Sequence, residues 1–140
     1  MTPYVFFIGF NKSGTSTIHS FFSDNGFASI HWDQGQIAKR MVENLSVNRK
    51  ILDGYDEHYC VYSDMFFMDA RVCIEGNQFF RELDNHYPGS RFVYNFRPLD
   101  KWIMSRLNHS GKVVGVSLLD RAKSVYGVSS TADVVDIWIE

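Results

Sequence analysis

Short apolar runs alternate along the chain with stretches whose apolar residues recur every three or four positions. Residues 4–10 form an apolar, β-prone run closed by Gly9-Phe10-Asn11, which predicts a buried strand. Residues 14–24 predict a helix that stops at Asn25-Gly26. Residues 27–32 predict a second short strand. Residues 36–45 predict a helix with Ile37, Met41, Val42 and Leu45 on one face. A third strand is expected over 59–62, ending near Asp64, and a helix over 77–86 with Phe79, Phe80 and Leu83 as its stripe. Pro88-Gly89 marks a turn and 91–95 a fourth strand. Pro98 suits a helix start, and 99–108 continue that helix. Residues 112–115 read as a loop, and 117–126 as a helix stopped by Gly127. Ser130 and Asp133 have the spacing of a capping box, with Asp in place of the usual Glu or Gln. Val134, Val135, Ile137, Trp138 and Ile139 then begin an apolar helix.

Strands alternating with helices imply an α/β fold: three layers, with a mostly parallel sheet flanked by helices. Ligands of such sheets sit beyond the carboxyl ends of the strands. Sites are therefore expected just after Phe10, Trp32, Tyr62 and Asn95. A length of 140 residues predicts one domain spanning 1–140. Lys and Arg total 14 against 16 Asp and Glu, which excludes a basic nucleic-acid coat but leaves room for a local basic pocket. Cys60 and Cys73 are too few for a disulfide framework and predict buried thiols in a reducing, cytoplasmic setting. No apolar run approaches the roughly 20 residues of a membrane helix, and no basic segment precedes the first strand as in a signal peptide. The last apolar helix has about two turns. It is expected either to belong to a shortened C-terminal part or to dock, for instance on a second copy.

The first strand leads into Gly9-Phe10-Asn11-Lys12-Ser13-Gly14-Thr15-Ser16-Thr17. A glycine-containing turn at the start of a helix presents several backbone N–H groups to an anion. Thr15, Ser16 and Thr17 add hydroxyls and Lys12 adds a charge, so a phosphate or sulfate site is expected. The nucleoside-triphosphatase loop requires Lys directly after its second glycine. Gly9 and Gly14 keep that spacing, but Thr15 stands where that lysine belongs, and no strand-terminal Asp for magnesium stands out, Asp64 being the only candidate. A magnesium-dependent nucleotide kinase is thus the weaker alternative.

This segment resembles the 5′-phosphosulfate loop of sulfotransferases that use 3′-phosphoadenosine 5′-phosphosulfate (PAPS), in which lysine precedes the glycine. A second resemblance lies at the family's 3′-phosphate motif, an Arg at a strand end followed eight residues later by a Ser. Arg97 and Ser105 hold these positions in residues 92–106. An Arg leaving a strand can fork onto a phosphate, and a Ser two helical turns on returns to the same side. The resemblance implies a P-loop-like nucleotide-binding fold and sulfuryl transfer from PAPS to a hydroxyl or amine, leaving 3′-phosphoadenosine 5′-phosphate (PAP), without a metal. It implies that Lys12 neutralises the leaving oxygen. Residues Ser13, Gly14, Thr15, Ser16 and Thr17 would hold the 5′-phosphate, and Arg97 with Ser105 the 3′-phosphate.

Family members use a His or a carboxylate as general base. By position after a strand, His31 and Asp64 are the candidates. His19 is expected to pack its helix, while His58, His86 and Arg106 are expected to be solvated. Trp32, Phe66, Phe67 and Trp102 are expected in the core rather than in an acceptor pocket. The acceptor is open between a small molecule and a glycan. The chain is shorter than most sulfotransferases, so a non-catalytic donor-binding module is the other alternative.

Overall fold

The computed structural model describes residues 3–110 and 115–140, so most of the loop expected at 112–115 lies outside the described residues. The chain forms two compact units: Met1–Phe67 with Ile74–Phe96, and Met68–Cys73 with Arg97–Glu140. In chain order the elements are β1 (Val5–Phe7), α1 (Thr15–Asp24), β2 (Ser29–His31), α2 (Gln36–Ser46), β3 (Val61–Ser63), β4 (Phe66–Met68), β5 (Cys73–Glu75), α3 (Phe80–His86), β6 (Arg91–Val93), α4 (Leu99–Leu107), α5 (Leu118–Tyr126) and α6 (Thr131–Ile139).

The fold is α/β, with a four-stranded parallel sheet in the order β2-β3-β1-β6, flanked by helices. Register follows the side-chain period of two. Phe6 lies opposite Tyr62 and Phe92, and Tyr62 opposite Ile30. These side chains share one face and form the first unit's core with Ile37 and Met41 of α2, Leu83 of α3, and Ile51, Leu52, Met65 and Tyr87. The opposite face meets α1, where the Phe7 and Phe22 rings lie 5.6 Å apart. Burial on both faces explains why β1 and β3 read as continuous apolar runs.

The strands are shorter than their apolar runs. The Ile8 N–H still donates to the Val93 carbonyl at 2.9 Å, but the next amide, Gly9, turns to the Asn95 side chain. Pairing between β1 and β6 therefore stops two residues before the ends expected at residues 10 and 95. The pattern did not reveal β4 and β5, which form a separate two-stranded sheet. Their turn is held by Asp69 Oδ1, which accepts the Arg71 and Val72 N–H groups at 2.7 and 2.8 Å.

In the second unit, α5 and α6 start as their sequences predict. Ser117 and Ser130 each accept an amide three residues on, Asp120 and Asp133, at 3.0 Å. Val134 and Trp138 of α6 are buried with Trp102 of α4 and Leu118 and Ala122 of α5. Arg106 corrects an expectation. It is 2% exposed, not solvated, with its guanidinium 4.5 Å from the Trp102 ring and 5.0 Å from the Trp138 ring. A planar cation can stack between two indoles and remain charged inside a small core.

Two further expectations need correction. His86 is half-buried, and its Nδ1 accepts the Ile51 N–H at 3.0 Å. Cys60 and Cys73 are half-buried, not buried, and no disulfide joins them. Among the described residues no helix is long and apolar enough to cross a membrane.

Candidate active site

Non-glycine residues rarely take a left-handed backbone, which costs about 1–2 kcal/mol each. Among the described residues six do so, and five of them lie beyond the carboxyl ends of β1, β2 and β3. Lys12 follows β1, Trp32, Asp33 and Gln34 follow β2, and Asp64 follows β3. Such strain persists where the surroundings fix it, and it clusters at functional sites. Here it marks the end of the sheet at which the sequence placed the sites.

The anion loop runs from Ile8 to Gly14 and delivers the chain to α1. Lys12 has φ 68° and Gly14 φ 81°, with Ser13 between them on the ordinary side. Alternation of this kind turns successive N–H groups toward one concavity that suits an anion. Gly14 caps α1 without a side-chain bond, and no acidic residue stands in the first turn of α1. The loop is fastened from β6. Asn95 Oδ1 accepts the Gly9 N–H at 3.0 Å, and Asn95 Nδ2 donates to the Ser13 carbonyl at 3.1 Å. Gly9 is required by this approach, since a Cβ there would sit 1.8 Å from the Asn95 carbonyl oxygen. In the sequence Asn95 reads only as the end of the strand expected over 91–95, and its one signal is a polar amide after Phe92, Val93 and Tyr94.

The helix start and the ends of β2 and β3 bring a second set of groups together. His31 and Ser63 are register partners, with His31 Nδ1 and Ser63 Oγ 3.4 Å apart. His31 Nε2 lies 3.4 Å from Ser16 Oγ and 3.8 Å from Asp64 Oδ2. Thr15, which is buried, donates its hydroxyl to Asp64 Oδ2 at 3.4 Å, at the weak end of hydrogen-bond geometry. His19 stacks on His31 with centroids 5.9 Å apart and reaches Ser29 Oγ at 3.0 Å, so it packs α1 on the sheet as expected. Burial, with a further contribution from the His19 charge, lowers the His31 pKa to about 4. The imidazole is therefore neutral near pH 7, and its approach to Asp64 is a polar contact, not an ion pair.

Lys12 and Ser13 are half-buried, Thr15 is buried, and Gly14, Ser16 and Thr17 are exposed on the first turn. The structure thus brings the loop residues, His31 and Asp64 together at one end of the first unit. Arg97 and Ser105 belong to the second unit. Arg97 is exposed directly before Pro98, the N-cap of α4, and Ser105 is half-buried on α4. Of the four aromatics expected in the core, Phe66 and Trp102 are buried, while Trp32 and Phe67 are half-buried. Phe67 carries Lys39 Nζ 4.0 Å from its ring centroid.

A lysine, the exposed Ser16 and Thr17, the loop's backbone N–H groups and a first helical turn without acidic residues form a donor set that suits an anion, while the Thr15 hydroxyl is turned to Asp64. The family model described as a sulfotransferase domain matches residues 4–134 of the chain. No curated protein and no solved structure matches it.

Proposed function

The chain belongs to the sulfotransferase domain family, and we propose that it moves a sulfuryl group from PAPS to a hydroxyl or amine of a small-molecule or glycan acceptor. The observation that carries this reading is the lysine-before-glycine loop, fastened by Asn95 at the start of α1. Backbone N–H groups and hydroxyls of residues 13–17 hold the 5′-phosphate. Arg97 and Ser105 hold the 3′-phosphate. Lys12 neutralises the charge that grows on the oxygen leaving the sulfur. The acceptor oxygen or nitrogen forms the new bond to sulfur as the phosphosulfate S–O bond breaks. The acceptor proton passes to Asp64, which lies beside the helix start through Thr15. His31, neutral near pH 7, lines the same carboxylate and orients it. PAPS, when bound, supplies the activated sulfuryl group.

One observation favours a second reading. A hydroxyl at a helix start beside a carboxylate at a neighbouring strand end, as in Thr15 and Asp64, is the pair that holds magnesium in nucleoside-triphosphate enzymes. Calorimetric titration separates the two. The expected result is PAP binding without magnesium, lost in Arg97→Ala. Binding of ATP with magnesium, and none of PAP, overturns the sulfotransferase reading. PAP binding with no transfer to any acceptor in a screen with PAPS leaves a donor-binding module.

A further inference from the structure

We propose that Asn95 is a positioning residue that sets the anion loop in its binding shape. An anion nest needs its N–H groups pointing inward and its carbonyls pointing away. The loop between Gly9 and Ser13 holds both kinds of group, and on its own it can rotate a carbonyl toward the anion. The Asn95 carboxamide acts on one group at each end. Its oxygen accepts the Gly9 N–H at 3.0 Å, and its nitrogen donates to the Ser13 carbonyl at 3.1 Å. The Ser13 carbonyl is thereby committed to Asn95 directly before Gly14, the left-handed residue that leads into α1.

Only a side chain with a donor and an acceptor on one rigid plane does both. Lys and Arg lack an acceptor, and an ionised carboxylate lacks a donor. The backbone is matched to the device. Gly9 sits so close that a Cβ would lie 1.8 Å from the Asn95 carbonyl oxygen and 2.6 Å from its side-chain Oδ1. The clamp therefore joins two residues 86 positions apart in sequence and fixes the loop to the segment that leaves the edge strand β6. Asn95 is not placed on the anion; it acts through the groups that are.

The inference rests on the sulfotransferase reading for the identity of the anion but not for its presence, and the test uses two probes accordingly. Wild type, Asn95→Ala and Asn95→Asp are titrated with PAP and with inorganic pyrophosphate, alongside thermal melts. Asn95→Ala is expected to melt cooperatively and to lose at least tenfold in affinity for both anions. Asn95→Asp keeps the shape and the acceptor but sets a negative charge against the Ser13 carbonyl. It is expected to bind more weakly than Asn95→Ala at pH 8. Its affinity relative to Asn95→Ala should recover as the pH is lowered, because a protonated carboxyl regains a donor. A structural role alone predicts the reverse order, with the isosteric Asp variant the milder. Affinities within twofold of wild type in a folded Asn95→Ala, or an Asp variant that binds better than the Ala variant at pH 8, would overturn the inference. If wild type binds pyrophosphate but not PAP, the donor assignment fails and the pyrophosphate series still decides the role of Asn95. If wild type binds neither, there is no anion loop to position and the inference fails too.

Discussion

His31 Nε2 lies 3.8 Å from Asp64 Oδ2, yet the two do not form an ion pair, because burial and the neighbouring His19 hold the imidazole neutral. The ring is spanned by hydroxyls instead, Ser63 Oγ at its Nδ1 side and Ser16 Oγ at its Nε2 side, each at 3.4 Å.

This has a direct consequence for stability against pH. The His31 pKa is about 4 in the folded chain and 6.5 in the unfolded one. Between those values the unfolded chain binds a proton that the folded chain does not. Stability should therefore fall as the pH drops from 6.5 to 4, and the slope from this residue should vanish below 4. With part of the ring exposed, the loss is about 1–2 kcal/mol after screening. Urea melts of wild type and His31→Gln across pH 4–7 check this. The Gln variant should lack that part of the slope, and equal slopes in both would show that His31 titrates normally.

Two glycines of the same loop should respond very differently to alanine. Gly9→Ala places a methyl 1.8 Å from the backbone oxygen of Asn95, two residues beyond β6, so the backbone of one of the two segments must shift. A loss of more than about 3 kcal/mol or failure to fold is expected. Gly14 has no heavy atom within 4 Å of its Cβ position, and only its φ of 81° resists a side chain. Gly14→Ala should cost about 1 kcal/mol. Chemical denaturation of both variants gives the comparison, and equal losses would place the loop differently from the structure.

The contrast shows what the sequence could and could not disclose. Alternating apolar runs and helical spacing located β1, β2, β3 and β6 with the helices between them, because burial on both faces of β1 and β3 writes itself into composition and turn residues bound the edge strands. Lys12, Gly14 and the three hydroxyls were legible because they are contiguous. Asn95 was not, since its role depends on a partner 86 residues away. The burial of Arg106 was hidden for a related reason. Its neighbour Trp102 is one turn away on α4, but the second indole, Trp138, comes from α6. A charged residue on a helix reads as solvated until the element that covers it is known.

Arg106 should accordingly matter for the second unit. Its guanidinium stacks on two rings, and such contacts contribute about 2 kcal/mol or more when desolvated. Arg106→Ala should lower stability by about 3 kcal/mol through lost stacking and a cavity. Arg106→Lys should rescue little, because an ammonium lacks the flat face and is more strongly hydrated. Circular dichroism melts of the two variants test this. A Lys variant as stable as wild type would mean that charge, not planarity, is what the indoles hold.

The division of labour between Lys12 and Asp64 can be read from rate and affinity together. In the proposed reaction Lys12 neutralises the leaving oxygen, so Lys12→Ala should lower kcat about 10²–10³-fold, the scale of a lost oxyanion donor. Asp64 meets Thr15 at the helix start, so in the proposed reaction its carboxylate would oppose the anion in the ground state and take the acceptor proton in the reaction. Asp64→Asn should therefore split the two effects. It removes the proton acceptor, lowering kcat about 10²–10⁴-fold. It also removes a negative charge from the cradle, so PAP should bind as tightly as in wild type or more tightly. Under the magnesium reading the same substitution would instead weaken ATP binding, because the carboxylate would be holding the metal. Single-turnover rates with PAPS, paired with calorimetry on PAP and on ATP with magnesium, distinguish these outcomes. Unchanged kcat in Asp64→Asn would remove Asp64 from the chemistry and leave His31 as the group to test next.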